Sequence, residues 1–290
     1  MRLFFFGMGY SSRATAQALR NLENQDIPVA GTTRSLESAE DWADTSYDMH
    51  VFDGEVPGPT LSADLRQATH VILSIPPDER GDAALNLHRA DLDAAENLEW
   101  IGYFSTVGVY GDFGGQWIDE DAPTRPVNPR SKQRVAAEEA WRDYAKERGV
   151  PLFIERLAGI YGPGRSAFDK LRAGTARRIV KPGQVFNRIH VTDIGEITAL
   201  AARARLAGTY NLTDTEPAPP QDLVSYAADL MGVAPPPDTP FETAPLSPMA
   251  RSFYSDNKRV SSKRLLAALD TELRFPTYRE GLNAIWETHQ

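Results

Sequence analysis

The stretch "FFFGMGYSSRATAQAL", Phe4 to Leu19, holds a strand, a glycine turn and a helix in immediate succession. The apolar run that ends at Phe6 is short and is stopped by Gly7, as a buried strand would be. After the turn, Ala14, Ala18, Leu19 and Leu22 recur at helical spacing and predict the buried side of a helix. Between the two lies Gly7-x-Gly9-x-x-Ser12. A glycine at the first position permits a tight turn. One at the second lets backbone amides approach a pyrophosphate, and the helix N-terminus adds a favourable dipole. Gly7, Gly9, Tyr10, Ser11 and Ser12 are therefore the expected pyrophosphate contacts. Ser12, small but not glycine, takes the position that packs helix against strand. The alternative is a glycine corner with no ligand.

Further strands follow in "IPVAGTTR", "YDMHVFDG", "THVILSIPP", "EWIGYFST" and "VPLFIERLAGIYG", with helices between them. This alternation predicts an α/β fold: a Rossmann-type doubly wound parallel sheet. "SKQRVAAEEAWRDYAKERG" reads as one long helix, capped at its C-terminus by Gly149, with a solvated face and Trp141 inward. From about Pro217 to Pro248 the chain is proline-dense, yet "QDLVSYAADLMG" inside it reads as a helix. "SSKRLLAAL" and "REGLNAIWET" add two more. The expected organisation is residues 1–165 mainly as a dinucleotide-binding domain, to which strands up to about 213 also contribute. Residues 166–290 would be mainly a small C-terminal substrate-binding cap interleaved with it.

The end of the second strand bears on which nicotinamide cofactor is held. A site for NAD places Asp or Glu there to accept from the ribose hydroxyls. Here the residues are Thr33, Arg34 and Ser35. A guanidinium cannot accept those bonds but can grip a 2′-phosphate, with the flanking hydroxyls as further donors, so NADP is expected and NAD is the alternative. Asp53 could accept from the adenine amino group or simply precede the turn at Gly54. Ser74, Ile75 and Pro76, at the end of the fourth strand, would lie along the cofactor's ribose.

Composition narrows the function class. The chain has 290 residues, 41% of them hydrophobic, enough for a sizeable core. Its net charge of -9, without a Lys/Arg run, argues against a nucleic-acid partner. With 0 cysteines, disulfides and thiolate chemistry are excluded. The five histidines are scattered, so no metal site is expected. The apolar N-terminal run is broken by Gly7 and Gly9 and does not read as a signal peptide. No stretch approaches the ~18 apolar residues of a membrane span, so a cytoplasmic protein is expected, for which a homodimer is open.

"GMGYSSRATA", "FSTVGVYGDFGG", "RLAGIYGPGR", "NRIHVTDIGEI" and "GTYNLTD" occur in that order. Together they resemble the extended short-chain dehydrogenase/reductase superfamily of NAD(P)-dependent sugar epimerases and dehydratases, closest to the branch called nucleoside-diphosphate-sugar epimerase-like. The resemblance covers essentially the whole chain. It implies that Thr106, four residues before Tyr110, hydrogen-bonds the substrate oxygen that gains or loses hydride. It also implies a helix-borne Tyr four residues before a Lys, the phenol acting as acid/base and the Lys lowering its pKa and holding the nicotinamide ribose. "VNPRSKQRVAAEEAW", Val127 to Trp141, departs from that pattern. If Lys132 is the lysine, Asn128 stands at the phenol's place. If Arg134 is, Arg130 does, and this second register keeps the helix in phase. Neither supplies a phenol, and an arginine cannot act as the base. Tyr110 is the nearest phenol by motif position, with Tyr161 next.

On the substrate side, Arg156, Tyr161, Arg165, Arg188 and His190 follow strand ends, where arginines suit an anionic or nucleotide-linked ligand. Asp193 is expected to cap the helix "IGEITALAARA". Two functions stand: an NADP-dependent oxidoreductase or epimerase on a small or nucleotide-linked substrate, and an NADP-binding sensor or scaffold without turnover.

Overall fold

Strand β1 (Leu3–Phe6) has all four residues buried because it lies inside a sheet, with neighbours on both edges and elements on both faces. A strand in that position gains from apolar side chains on both sides, which explains an unbroken Leu-Phe-Phe-Phe rather than an alternating pattern. The computed structural model describes residues 1–24, 26–40, 42 and 45–288. The other sheet strands are β2 (Val29–Thr33), β3 (Tyr47–Val51), β4 (His70–Leu73), β5 (Trp100–Thr106), β6 (Leu152–Leu157) and β7 (Gly208–Leu212). Their order is β3-β2-β1-β4-β5-β6-β7. β1 pairs in parallel with both β2 and β4, Phe5 facing Gly31 on one side and Ile72 on the other. β2–β3 and β4–β5 are parallel as well. This is the expected Rossmann-like sheet.

The chain divides into two compact units. The first comprises Met1–Thr106, Pro129–Arg156 and Ile194–Tyr210 and carries the sheet. Its main helices are α1 (Tyr10–Glu23), α2 (Ala83–Asp93), α3 (Pro129–Arg148) and α4 (Val191–Ala204). One core cluster joins Phe4, Phe6, Ile101 and Tyr103 of the sheet to Trp141 and Tyr144 of α3. Gly149 ends α3 with φ +67°, the left-handed conformation that glycine adopts without strain, as its sequence position predicts. The buried side of α1 differs from expectation. It is Ser11, Ser12, Thr15, Ala16 and Leu19, whereas Ala14, Ala18 and Leu22 are only half-buried. Small hydroxyl residues fit there because their groups bond locally, Thr15 Oγ1 donating to Ser11 O at 3.1 Å.

The second unit comprises Val107–Asn128, Leu157–Asp193 and Asn211–Gln290. The single strand expected over "VPLFIERLAGIYG" is two pieces. After β6 a short strand, Gly159–Tyr161, pairs instead with Arg188–His190, and Gly159 N–H donates to Asn187 O at 3.0 Å. Helices Ala167–Arg172, Pro220–Met231 and Tyr278–Glu287 enclose an apolar cluster that includes Phe168, Ala227, Tyr278 and Ile285. The proline-dense stretch builds elements where proline is tolerated. Pro220 and Pro248 each open a helix, where no backbone donor is missed. Among the described residues no helix is long and apolar enough to cross a membrane, and no group of His, Asp or Glu could hold a metal.

β6 carries a buried acid. Glu155 is fully shielded, and Thr198 Oγ1 of α4 donates to its Oε2 at 2.8 Å. Burial pushes its pKa up to about 8, against which the Thr198 bond acts in the opposite sense. Its ordinary value is the lower one, so the folded state holds a proton that the unfolded chain has lost. The stability that goes with that proton is complete below pH 4.5 and falls away as pH rises through about 8. Glu155→Gln removes this titration. Thermal melts should therefore show the variant gaining on wild type steadily between pH 5 and 8. Parallel curves would contradict the assignment.

Candidate nucleotide site

β1 ends at Phe6, and the chain turns at Gly7 with φ +92°. A Cβ there would sit 2.9 Å from Ile75 Cγ2, so both conformation and space call for glycine. Thr32 of β2 fixes the turn from the other side. Its Oγ1 accepts from Gly7 N–H and its O from Met8 N–H, both at 2.8 Å. Gly9 is the N-cap of α1, with no side-chain cap and no acidic residue in the first turn. A Cβ on Gly9 would have no protein atom within 4 Å. The first-turn amides of a helix have no intrahelical partner. An uncapped, acid-free helix start beside open space thus fits the diphosphate of a dinucleotide. Ser12 is buried, and its Oγ donates to Gly7 O at 2.7 Å, so its hydroxyl shapes the turn.

At the end of β2 the two flanking hydroxyls are engaged locally. Thr33 Oγ1 donates to Ser35 O at 3.2 Å, and Ser35 Oγ pairs with Ser38 at the start of the short helix Leu36–Glu40. Arg34 between them is exposed and has no protein partner among the described residues. Asp53 is exposed and accepts Glu55 N–H at 2.9 Å through Oδ1, the turn reading of that residue. Ser74 N–H donates to Phe6 O, extending the β4 side alongside β1, and Ile75 packs against Gly7. Beyond Pro76, the tight turn Asp78–Gly81 presents Arg80, whose guanidinium grips Glu55 in two bonds of 2.7 and 2.8 Å and also binds Asp78. These loops and the start of α3 line a cleft of about 860 Å³, reached by Pro76, Arg80, Arg130, Gln133 and Arg134.

Thr106 ends β5 and is half-buried. Arg134 Nη1 donates to Phe104 O at 2.7 Å and to Tyr103 Oη at 3.2 Å. Burial pushes the Tyr103 phenol upward and outweighs the nearby Arg134 charge. Lys132 is exposed and does not line the cleft, whereas Arg134 both lines it and bonds to β5. Arg156, expected on the substrate side, is instead buried and bonded to Glu138 through Nε at 3.0 Å and Nη2 at 2.7 Å. Sequence reasoning left Glu138 on a solvated face. Its spacing of three from the inward Trp141 was the signal that it faces inward too.

In the second unit Tyr110 is fully buried, and its hydroxyl donates to Asn211 Oδ1 at 2.8 Å. That bond, rather than a reacting oxygen, holds the phenol singled out as proton donor. Arg188, also assigned to substrate, is buried and donates to Phe186 O and Ala218 O at 2.9 and 3.0 Å, which makes it a brace between two loops. His190 packs against Tyr161 and Phe275, and burial lowers its pKa to about 4, helped by Arg274. Its Nδ1 accepts Thr192 N–H at the start of α4. Asp193, expected as that helix's cap, lies within the first turn and binds Arg274 N–H at 2.6 Å instead. The cap expectation fails because the helix starts at Val191, three residues before Ile194. Arg165 is exposed on the turn Gly162–Arg165.

The family model described as NAD dependent epimerase/dehydratase family matches residues 17–213. The chain belongs to the NAD dependent epimerase/dehydratase family. That match starts after the glycine turn, so the geometry of residues 7–12 is independent support for a nucleotide. Protein YeeZ of Escherichia coli K12 is 34% identical over 150 residues, 50% of this chain and 51% of YeeZ. The chain thus spans about half the length of the curated relatives it matches. A structure from Silicibacter pomeroyi, a conserved protein of unknown function, is 42% identical with a TM-score of 0.89, covering 99% of this chain and 98% of that one. The Thermus thermophilus UDP-glucose 4-epimerase complex with NAD shares the fold at 18% identity and TM-score 0.77, covering 99% and 98%.

Gly9→Val would place methyl groups in the open space before α1. The fold should survive, since no protein atom stands there, while binding of any nicotinamide dinucleotide is lost. Calorimetric titration beside a thermal melt checks this, and a folded variant with wild-type affinity would exclude this turn as the phosphate site.

Proposed function

We propose that this chain is an NADP-dependent oxidoreductase or epimerase acting on a small or nucleotide-linked anionic substrate. The observation that carries the cofactor reading is Arg34, exposed and unpartnered among the described residues at the end of β2. A carboxylate there would select NAD. A planar guanidinium instead offers two parallel donors to a 2′-phosphate. The amides at the start of α1, in Gly9, Tyr10, Ser11 and Ser12, would take the pyrophosphate. Ser74, Ile75, Pro76 and Arg134 would line the nicotinamide half, with Asp53 Oδ2 an acceptor for the adenine amino group. When bound, the cofactor supplies or accepts hydride.

Thr106 would donate its hydroxyl to the substrate oxygen at the reacting carbon. Arg130 stands where relatives of this pattern are expected to carry the phenol, one turn before Arg134. A fixed positive charge there would stabilise negative charge developing on that oxygen without giving up a proton. Arg165, exposed on its turn, and Tyr161 remain candidates for holding the substrate's anionic part, as Tyr110 does for the proton if its bond to Asn211 opens.

Calorimetry should show NADP binding more tightly than NAD. Arg34→Ala should remove most of the difference, roughly 10- to 100-fold for a charge-assisted pair. Equal wild-type affinities would end the NADP reading. NADPH oxidation against a panel of carbonyl compounds and nucleotide sugars tests turnover. Thr106→Val should lower it about 10²-fold with cofactor affinity kept. Full activity in that variant would remove Thr106 from the chemistry.

A further inference from the structure

We infer that Glu138 is a positioning residue for the nicotinamide end of the site, setting through Ser105 where Thr106 and Arg134 stand. The inference rests on the nucleotide reading above. Glu138 is 1% exposed, on the face of α3 that meets the sheet. Its Oε1 accepts from Ser105 Oγ at 2.5 Å and Arg156 Nε at 3.0 Å, and its Oε2 from Arg156 Nη2 at 2.7 Å and Arg142 Nη2 at 2.9 Å. These four bonds use the acceptor capacity of a carboxylate fully. Burial alone would raise its pKa, but the bonds and charges of Arg156, with Ser105 and Arg142, hold it below the ordinary range.

The partners of Glu138 come from different elements: Ser105 from β5, Arg156 from β6, Arg142 from α3 itself. Arg142 also donates to Thr209 of β7 at 3.0 Å. One helical turn before Glu138, Arg134 donates to Phe104 O. Two residues four apart on α3 are thus tied to two consecutive residues of β5, and the residue that follows them is Thr106. The pair fixes the helix against the strand in rotation and in slide. With only Arg134 attached, the guanidinium keeps its carbonyl but loses the constraint on its direction.

The test separates the two halves of the cofactor. Adenosine 2′,5′-bisphosphate probes the glycine turn and Arg34, and NADPH probes those and the nicotinamide end. Wild type, Ser105→Ala, Ser105→Thr and Glu138→Gln are titrated with both by calorimetry, alongside thermal melts. Ser105→Ala leaves the Glu138–Arg156 ion pair intact, so it keeps the inference testable if Glu138→Gln fails to fold. The expected result is unchanged affinity for the bisphosphate and about a tenfold loss for NADPH, as for one hydrogen bond to a charged group. Ser105→Thr, which keeps the hydroxyl, should retain wild-type NADPH affinity. Loss of both ligands in parallel, or of neither, would make the cluster purely structural and overturn the inference. Wild type that binds neither ligand would instead overturn the nucleotide reading itself, and this inference with it.

Discussion

Thr32 holds the glycine turn by two atoms, its hydroxyl oxygen on Gly7 N–H and its carbonyl on Met8 N–H. Ile75 closes the opposite side, leaving no room for a Cβ on Gly7. The ends of β1, β2 and β4 are therefore locked into one corner, and the turn has a single way to pass between them. Arg34 follows Thr32 by two residues, so the same bonds that shape the turn also set where the second strand releases its arginine. The glycine turn and the exposed arginine are thereby placed by one contact, without a dedicated loop to orient either.

The buried carboxylates of the first unit show two solutions to one cost. An ionised group away from water is expensive unless its lone pairs are met. Glu138 meets that requirement with two guanidiniums and a hydroxyl and stays charged. Among the described residues Glu155 meets only the Thr198 hydroxyl, and burial keeps it neutral. Asp82 lies between these cases. It caps α2 through Ala84 and Leu85 N–H, yet burial still raises its pKa. Charge is kept where α3 meets β5 beside the cleft and given up where α4 covers β6.

Much of the fold was legible because parallel sheets write themselves in period and punctuation. Short apolar runs alternating with helical segments located six of the seven sheet strands, and Gly149 marked the end of α3. The face of α1 was misread, because its inner side is built from serines and threonine whose hydroxyls bond within the turn. The same blindness to partners hid the network around Glu138. A carboxylate in an Ala-Glu-Glu-Ala run looks solvated until Arg156, eighteen residues on, is seen to reach it. Tyr110 was singled out by motif position, and Arg156 and Arg188 by residue type near strand ends. Neither motif nor type can reveal that each already has a protein acceptor. Arg34 and Gly9 differ from these, since the one is exposed and the other borders open space, so no distant partner had to be foreseen.

The neutral state of Glu155 also enters the heat of unfolding. Near pH 7 the folded chain carries a proton on this carboxyl, and Asp214, its pKa pushed by burial to about 8 against the pull of Arg188, carries another. Unfolding exposes both acids to water and releases those protons to the buffer. The calorimetric enthalpy therefore contains the buffer's own ionisation heat, and two buffers of equal pH will report different values for the same transition.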